Sequence, residues 1–151
     1  MTPNKRTGRI GKILWPILSV LVAAGIFISS SISGEASGNA SMTIARLVRY
    51  VLPASDAVLA FFHFLVRKTA HFSVYFVLSF CVAHSLKYYL HKLRTLLLSA
   101  WGIAAFYGVT DEIHQHFIPG RVMAFSDMLI NASGAFFGAT LVIIFLSKKT
   151  Y

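Results

Sequence analysis

Residues 13–32 read ILWPILSVLVAAGIFISSSI, twenty positions without a charged side chain. As a helix rising ~1.5 Å per residue, such a run covers the ~30 Å hydrocarbon core of a bilayer. A basic head precedes it, with Lys5, Arg6, Arg9 and Lys12. A basic head before an apolar run also describes a secretory signal, but a signal core is usually ~7–15 residues, so a retained anchor is expected. Pro16 is expected in the first turn, where its missing N–H costs little.

The rest of the chain agrees with this start. It has 151 residues, enough for one domain, and 56% of them are apolar. The mean hydropathy is +0.69, more apolar surface than a soluble core of this size needs. The lone cysteine, Cys81, has no intrachain partner for a disulfide. Residues 69–89 and 126–147 each have the length to span. Residues 95–110 are apolar over only 16 positions, so that span should continue through Asp111 and Glu112 toward Gln115. Ile118-Pro119-Gly120-Arg121 is a turn signal, since proline fixes φ and glycine allows a positive one. Ser126 is a candidate N-cap for the last span, and Asp127 in its first turn suits the helix dipole.

Between the first two spans the pattern is weaker. Residues 33–43, SGEASGNASMT, read as a small polar loop. Ile44, Leu47, Val48 and Val51 follow at helical spacing with Arg46 and Arg49 opposite, which suits a short interfacial helix ended by Pro53. Ser55 or Asp56 could cap a stretch over 57–66 that is too short to cross alone, so an interfacial or re-entrant segment is expected, with the start of a long second helix as the open alternative. Asn39-Ala40-Ser41 fits a glycosylation sequon, a pattern common by chance.

The expected fold is therefore all-α: a polytopic bundle of about four transmembrane helices, with interfacial helix segments between the first and second. Its parts are a basic N-terminus (1–12), the first span (13–32), an extracytoplasmic loop (33–66), a three-span core (67–147) and a short tail (148–151). With the N-terminus inside, nine basic residues lie inside and five outside, while all five acids fall outside. This split favours cytoplasmic termini. The net charge of +9 then sits at the cytoplasmic leaflet as an anchor for anionic lipid, with no nucleic-acid signal.

In this topology three spans deliver polar groups to the outer face. Arg67, His71 and Tyr75 are four apart and share a helix face, with Lys68 beside them. Glu112, Gln115 and His116 follow at i, i+3 and i+4. Asp127, Asn131, Gly134 and Gly138 form one polar and small-residue stripe. Charges in a membrane are costly, so Glu112 or Asp127 should meet Arg67, Lys68 or Arg121 inside the bundle. Gly134 and Gly138 should let another helix approach closely. Tyr88, Tyr89 and Trp101 read as belt or packing residues, and His84 and His91 as solvated or interfacial.

The segments RKTAHF (67–72) with Tyr75, DEIHQ (111–115) with Pro119-Gly120-Arg121, and Asp127 with NASG (131–134) and Gly138 resemble the VanZ-like family. From Glu112 to Gly138 the spacing is E-x-x-Q-x5-R-x5-D-x3-N-x2-G-x3-G, and the resemblance runs over roughly residues 60–147. It implies a bacterial cell-envelope membrane protein, in a family whose founding member is associated with resistance to the glycopeptide teicoplanin. The matching positions are Arg67, Lys68, His71, Tyr75, Glu112, Gln115, Arg121, Asp127, Asn131 and Gly134. Many members carry an acid just before the motif tyrosine, where this chain has Val74.

Two classes of function stay open on the sequence. In the first, the outer-face site binds a lipid-linked envelope precursor, a glycopeptide or another amphiphile, with Arg67 and Arg121 on phosphate or carboxylate. In the second, the protein is an intramembrane enzyme on an envelope lipid, with Glu112 as acid or base and His71 or His116 as partner. No nucleophile motif accompanies these residues. A metal-assisted variant would draw on His71, His114, His116, Glu112 and Asp127, but no H-E-x-x-H is present, and neither metal nor cofactor is expected. A structural or partner-binding role is the third reading. Membrane lipids are the expected surroundings, and the sequence is silent on oligomeric state.

Overall fold

A computed structural model describes residues 5–51 and 55–148 of the chain. Five helices follow in order: α1 (Lys5–Ser30), α2 (Gly34–Val51), α3 (Asp56–Leu86), α4 (Leu93–His116) and α5 (Phe125–Ser147). Among the described residues there is no strand. Four of the helices, all but α2, are long and apolar enough to cross a membrane. The protein is an all-α polytopic bundle.

Several local expectations are revised. The basic head continues the first helix, so Pro16 lies well inside α1 rather than in its first turn. The polar stretch 33–43 is not a loop: α2 begins at Gly34 and runs on to Val51. Small residues on its inner side allow this, with Ser41 buried and its hydroxyl within 3.2 Å of His63 Nε2 on α3. Pro53 lies outside the described residues. The stretch 57–66 is no separate interfacial segment, because α3 is continuous over 31 residues. That is roughly 46 Å of helix, which outreaches the ~30 Å hydrocarbon core. Ser55 does stand at the N-cap of α3, in extended conformation, but its hydroxyl makes no capping bond. The N-cap of α5 is Ala124 rather than Ser126.

The turn before α5 is built as its residues demand. Arg121 N–H donates to Ile118 C=O at 3.1 Å, and Gly120 between them has φ +74°, a conformation that favours glycine. Pro119 C=O accepts from Gly34 N–H at 3.0 Å, which ties the turn to the start of α2.

α3 is the central helix, packed on each of the other four. Its closest neighbour is α5. A Cβ at Gly134 or Gly138 would strike the backbone carbonyls of Phe72 and Phe76, so only hydrogen at these positions lets the two helices lie at this distance. Ala100 and Ala104 of α4 and Ala135 and Ala139 of α5 are fully buried and extend the small-residue contact. Trp101 Nε1–H donates to Ala132 C=O at 3.0 Å, a packing role across α4 and α5. Tyr107 O–H donates to Ala23 C=O at 2.7 Å and joins α4 to α1. Large apolar side chains such as Val20, Phe106 and Phe137 point outward, as a lipid-facing surface requires.

At the basic end, α1 packs on α3 through Trp15. His84 is partly buried there: its ring stands 4.2 Å from Trp15 and 4.5 Å from Phe80, centroid to centroid. His91 is exposed.

Candidate site at the polar end of the bundle

The alternating course of α3, α4 and α5 brings one end of each to the same place. Arg67, Lys68 and His71 from α3 meet Asp111, Glu112 and Gln115 at the end of α4, and Asp127 and Asn131 at the start of α5. Asp111, Glu112, Gln115, Asp127 and Asn131 are all buried. Five polar side chains buried at one end of so apolar a bundle must find partners, and they divide into two groups with His71 between them.

The first group lies between α3, α4 and α5. Lys68 Nζ forms an ion pair with Asp127 Oδ1, meeting the expectation that an acid pairs with one of the nearby cations. Glu112 is fully buried; its Oε2 accepts from Ala124 N–H at 3.2 Å, and Oε1 has no donor. His71 Nδ1 lies 3.1 Å from Asn131 Oδ1 and 3.8 Å from Glu112 Oε1.

The second group faces a cavity of about 630 Å³ between α1, α2 and α3. Val22, Ile26, Val66, Val74 and Val77 make much of its wall apolar, while Arg67, His71, Tyr75, Asp111, Gln115 and Arg121 line its polar end. Val74 and Val77 are also partly exposed, so the cavity is reached from outside the bundle. Val74 occupies the position where an acid was noted as common, and here it extends the apolar wall.

Arg121 is already engaged. Its Nε–H donates to Ile32 C=O at 3.1 Å, one terminal nitrogen to Ser29 C=O at 3.0 Å and the other to Gln115 Oε1 at 3.2 Å. It thus adds a charged donor to carbonyls at and just beyond the end of α1, where Ser29 C=O also accepts from Ile32 N–H at 3.3 Å, a favourable place for a cation. Burial, and then the nearby Arg67 guanidinium, lower its pKa from the ordinary value, yet an arginine stays charged at neutral pH. Gln115 in turn donates to Asp111 Oδ2 at 3.0 Å and to Ser30 Oγ at 3.3 Å. The Arg67 guanidinium, by contrast, makes no hydrogen bond or ion pair among the described residues.

Most of the sequence-derived residues are therefore together, with two exceptions. His116 does not share the buried face of Glu112 and Gln115; it is exposed and its ring lies edge-on to Phe117. At roughly 100° per residue, counting from Asp111, Gln115 lies at roughly 40°, Glu112 at roughly 100° and His116 at roughly 140°, so His116 falls at the outer edge of the buried arc, at the last residue of α4. His114 is likewise apart, stacked on Phe27 of α1 at 4.6 Å. Two contributors were missed. Asp111 was placed at the polar end of the third span but not counted as a site residue, although its spacing to Gln115 put both on one face. Ser30 belongs to a serine run that ends an otherwise apolar helix, a signal that was available.

Fold and site together define a small polytopic membrane protein with a polar centre at one end of its bundle. The chain belongs to the VanZ/LLP1 family, whose sequence model matches residues 15–146. The match takes in α1 and α2 as well as the three-span core, more than the motifs alone covered. No curated protein and no solved structure matches the chain.

Proposed function

We propose that this protein binds an amphiphile of the bacterial cell envelope, its anionic head at Arg67 and its apolar part along the wall formed by Val66, Val74 and Val77. The observation that carries this reading is the Arg67 guanidinium, without a hydrogen-bond or ion-pair partner among the described residues, at the polar end of a mostly apolar cavity. A half-buried cation without a partner favours an anion, and a guanidinium suits phosphate or carboxylate in fork geometry. Arg121 serves differently from the first expectation: it shapes the end of the cavity and holds α1, leaving Arg67 as the cation for the ligand. Such binding at the outer leaflet would alter how a lipoglycopeptide such as teicoplanin reaches its lipid-linked target.

Native mass spectrometry of the purified protein tests this. Wild type should retain phosphatidylglycerol in preference to phosphatidylcholine. Arg67→Gln should lower that preference about tenfold, the equivalent of ~1.4 kcal/mol. Ala36→Trp, which fills the cavity, should lower retention of both. Equal retention by wild type and Arg67→Gln would overturn the reading. In a sensitive Gram-positive host at matched expression, wild type should reduce teicoplanin susceptibility and Arg67→Gln should not.

One observation favours an enzyme as the second reading. His71 borders the cavity, with its Nδ1 held between Asn131 and Glu112, the arrangement that orients a general base. Turnover of an envelope lipid that vanishes in Glu112→Gln would select it.

A further inference from the structure

We propose that His71, Glu112 and Asp127 form a site for a divalent first-row cation of the zinc or manganese kind, which shares only His71 with the lining of the amphiphile cavity. Three helices each contribute one ligand: α3 the imidazole, α4 and α5 a carboxylate. One donor atom from each lies within 4.8 Å of the others. Ligands of a bound transition ion stand roughly 3–3.6 Å apart, given metal–ligand bonds of ~2.0–2.2 Å, so small side-chain adjustments close the site. One nitrogen and two carboxylate oxygens suit zinc, manganese or ferrous iron better than magnesium.

The independent sign of a missing cation is Glu112. The side chain is fully buried, and its Oε1 has no hydrogen-bond partner among the described residues while lying 3.8 Å from His71 Nδ1. Among the described residues Lys68 pairs with Asp127 through Oδ1, while Glu112 has Lys68 only at longer range and the His71 ring at 3.8 Å. A buried carboxylate oxygen without a donor or cation is costly. Asn131 strengthens the site. Its Oδ1 is 3.1 Å from His71 Nδ1, a distance that also suits two ligands of one ion, so the amide oxygen is a fourth donor. Ligation through Nδ1 requires the Nε2–H tautomer of His71.

Lys68 is the competitor. Its ammonium sits on Asp127 and opposes a second cation nearby, so it sets the affinity. That makes the proposal testable in both directions, with full-length protein carrying a histidine-free tag and Co²⁺ as spectroscopic probe. Wild type should bind one Co²⁺ per chain, with ligand-field bands that Zn²⁺ displaces. Glu112→Gln and Asp127→Asn should weaken binding at least tenfold, the order lost when a metal site's supporting groups are removed. His116→Ala, on the exposed ring, should leave binding unchanged. Lys68→Met should tighten binding about tenfold or more, because a unit charge close by is removed, and Zn²⁺ should raise its melting temperature above that of its metal-free form. Binding that persists in Glu112→Gln would overturn the site, as would absence of binding in both wild type and Lys68→Met when each shows a cooperative melt. The Lys68→Met result decides the matter even if the carboxylate variants fail to fold.

Discussion

Gly134 and Gly138 are where a single atom decides the packing. Each faces a carbonyl of α3, at Phe72 and Phe76, with no room for a Cβ between. Gly138→Val should force α3 and α5 apart and destabilise the bundle by about 1–3 kcal/mol, the usual cost of overpacking. Thermal unfolding in detergent reads this, and an unchanged midpoint would show that the helices do not cross so closely. The polar side chains two turns away act in the same way. Asp127 and Asn131 share the buried face of α5 with the glycines, so the crossing that the glycines allow also sets how near Lys68 and His71 come to their partners.

At the scale of elements, Arg121 joins pieces that are remote in sequence. From a turn outside any helix it reaches Ser29 and Ile32 at the end of α1 and Gln115 near the end of α4. Arg121→Gln should remove the fork, taking the charged donor from Ile32 C=O and leaving Ser29 C=O with Ile32 N–H alone. Hydrogen bonds to a charged donor contribute roughly 1.5–3 kcal/mol each in net terms, so a clear loss of thermal stability is expected. Arg121→Lys, which keeps the charge without the fork, should fall between the two. Equal midpoints for wild type and Arg121→Gln would mean that α1 is held by its apolar contacts alone. α2 matters here as well, because it closes one side of the cavity and is tied to the same turn through Gly34.

For the whole molecule, the bundle separates its charges. The three acids Asp111, Glu112 and Asp127 meet Arg67, Lys68 and Arg121 at one end. Lys87, Lys92 and Arg94 lie at or beyond the other end of α3 and the start of α4. The excess of basic residues there predicts that this second end is cytoplasmic. Single cysteines placed near Gly120 in a Cys81→Ala background should react with an impermeant thiol reagent added to whole cells, and cysteines near Lys92 only after permeabilisation. The reverse pattern would place the polar site on the cytoplasmic side.

The sequence by itself determined the class of fold, because long uncharged runs admit little else than helices in a bilayer, where every backbone polar group must be paired within its own segment. It also determined which residues stand on one face: Arg67, His71 and Tyr75 do line the cavity together, and Asp127, Asn131, Gly134 and Gly138 do form a buried stripe. It carried no periodic apolar signal over 33–43, so the helical start of α2 was not legible, and over 57–66 it left an interfacial segment, a re-entrant one and the start of a long second helix all open. Only the tertiary structure decided which faces meet. Whether Glu112 turns inward and His116 outward, whether Arg121 binds a ligand or the end of α1, and whether Arg67 is left without a partner all depend on the angle and distance at which the helices cross. Those are set by contacts between residues far apart in the chain, which local spacing does not encode.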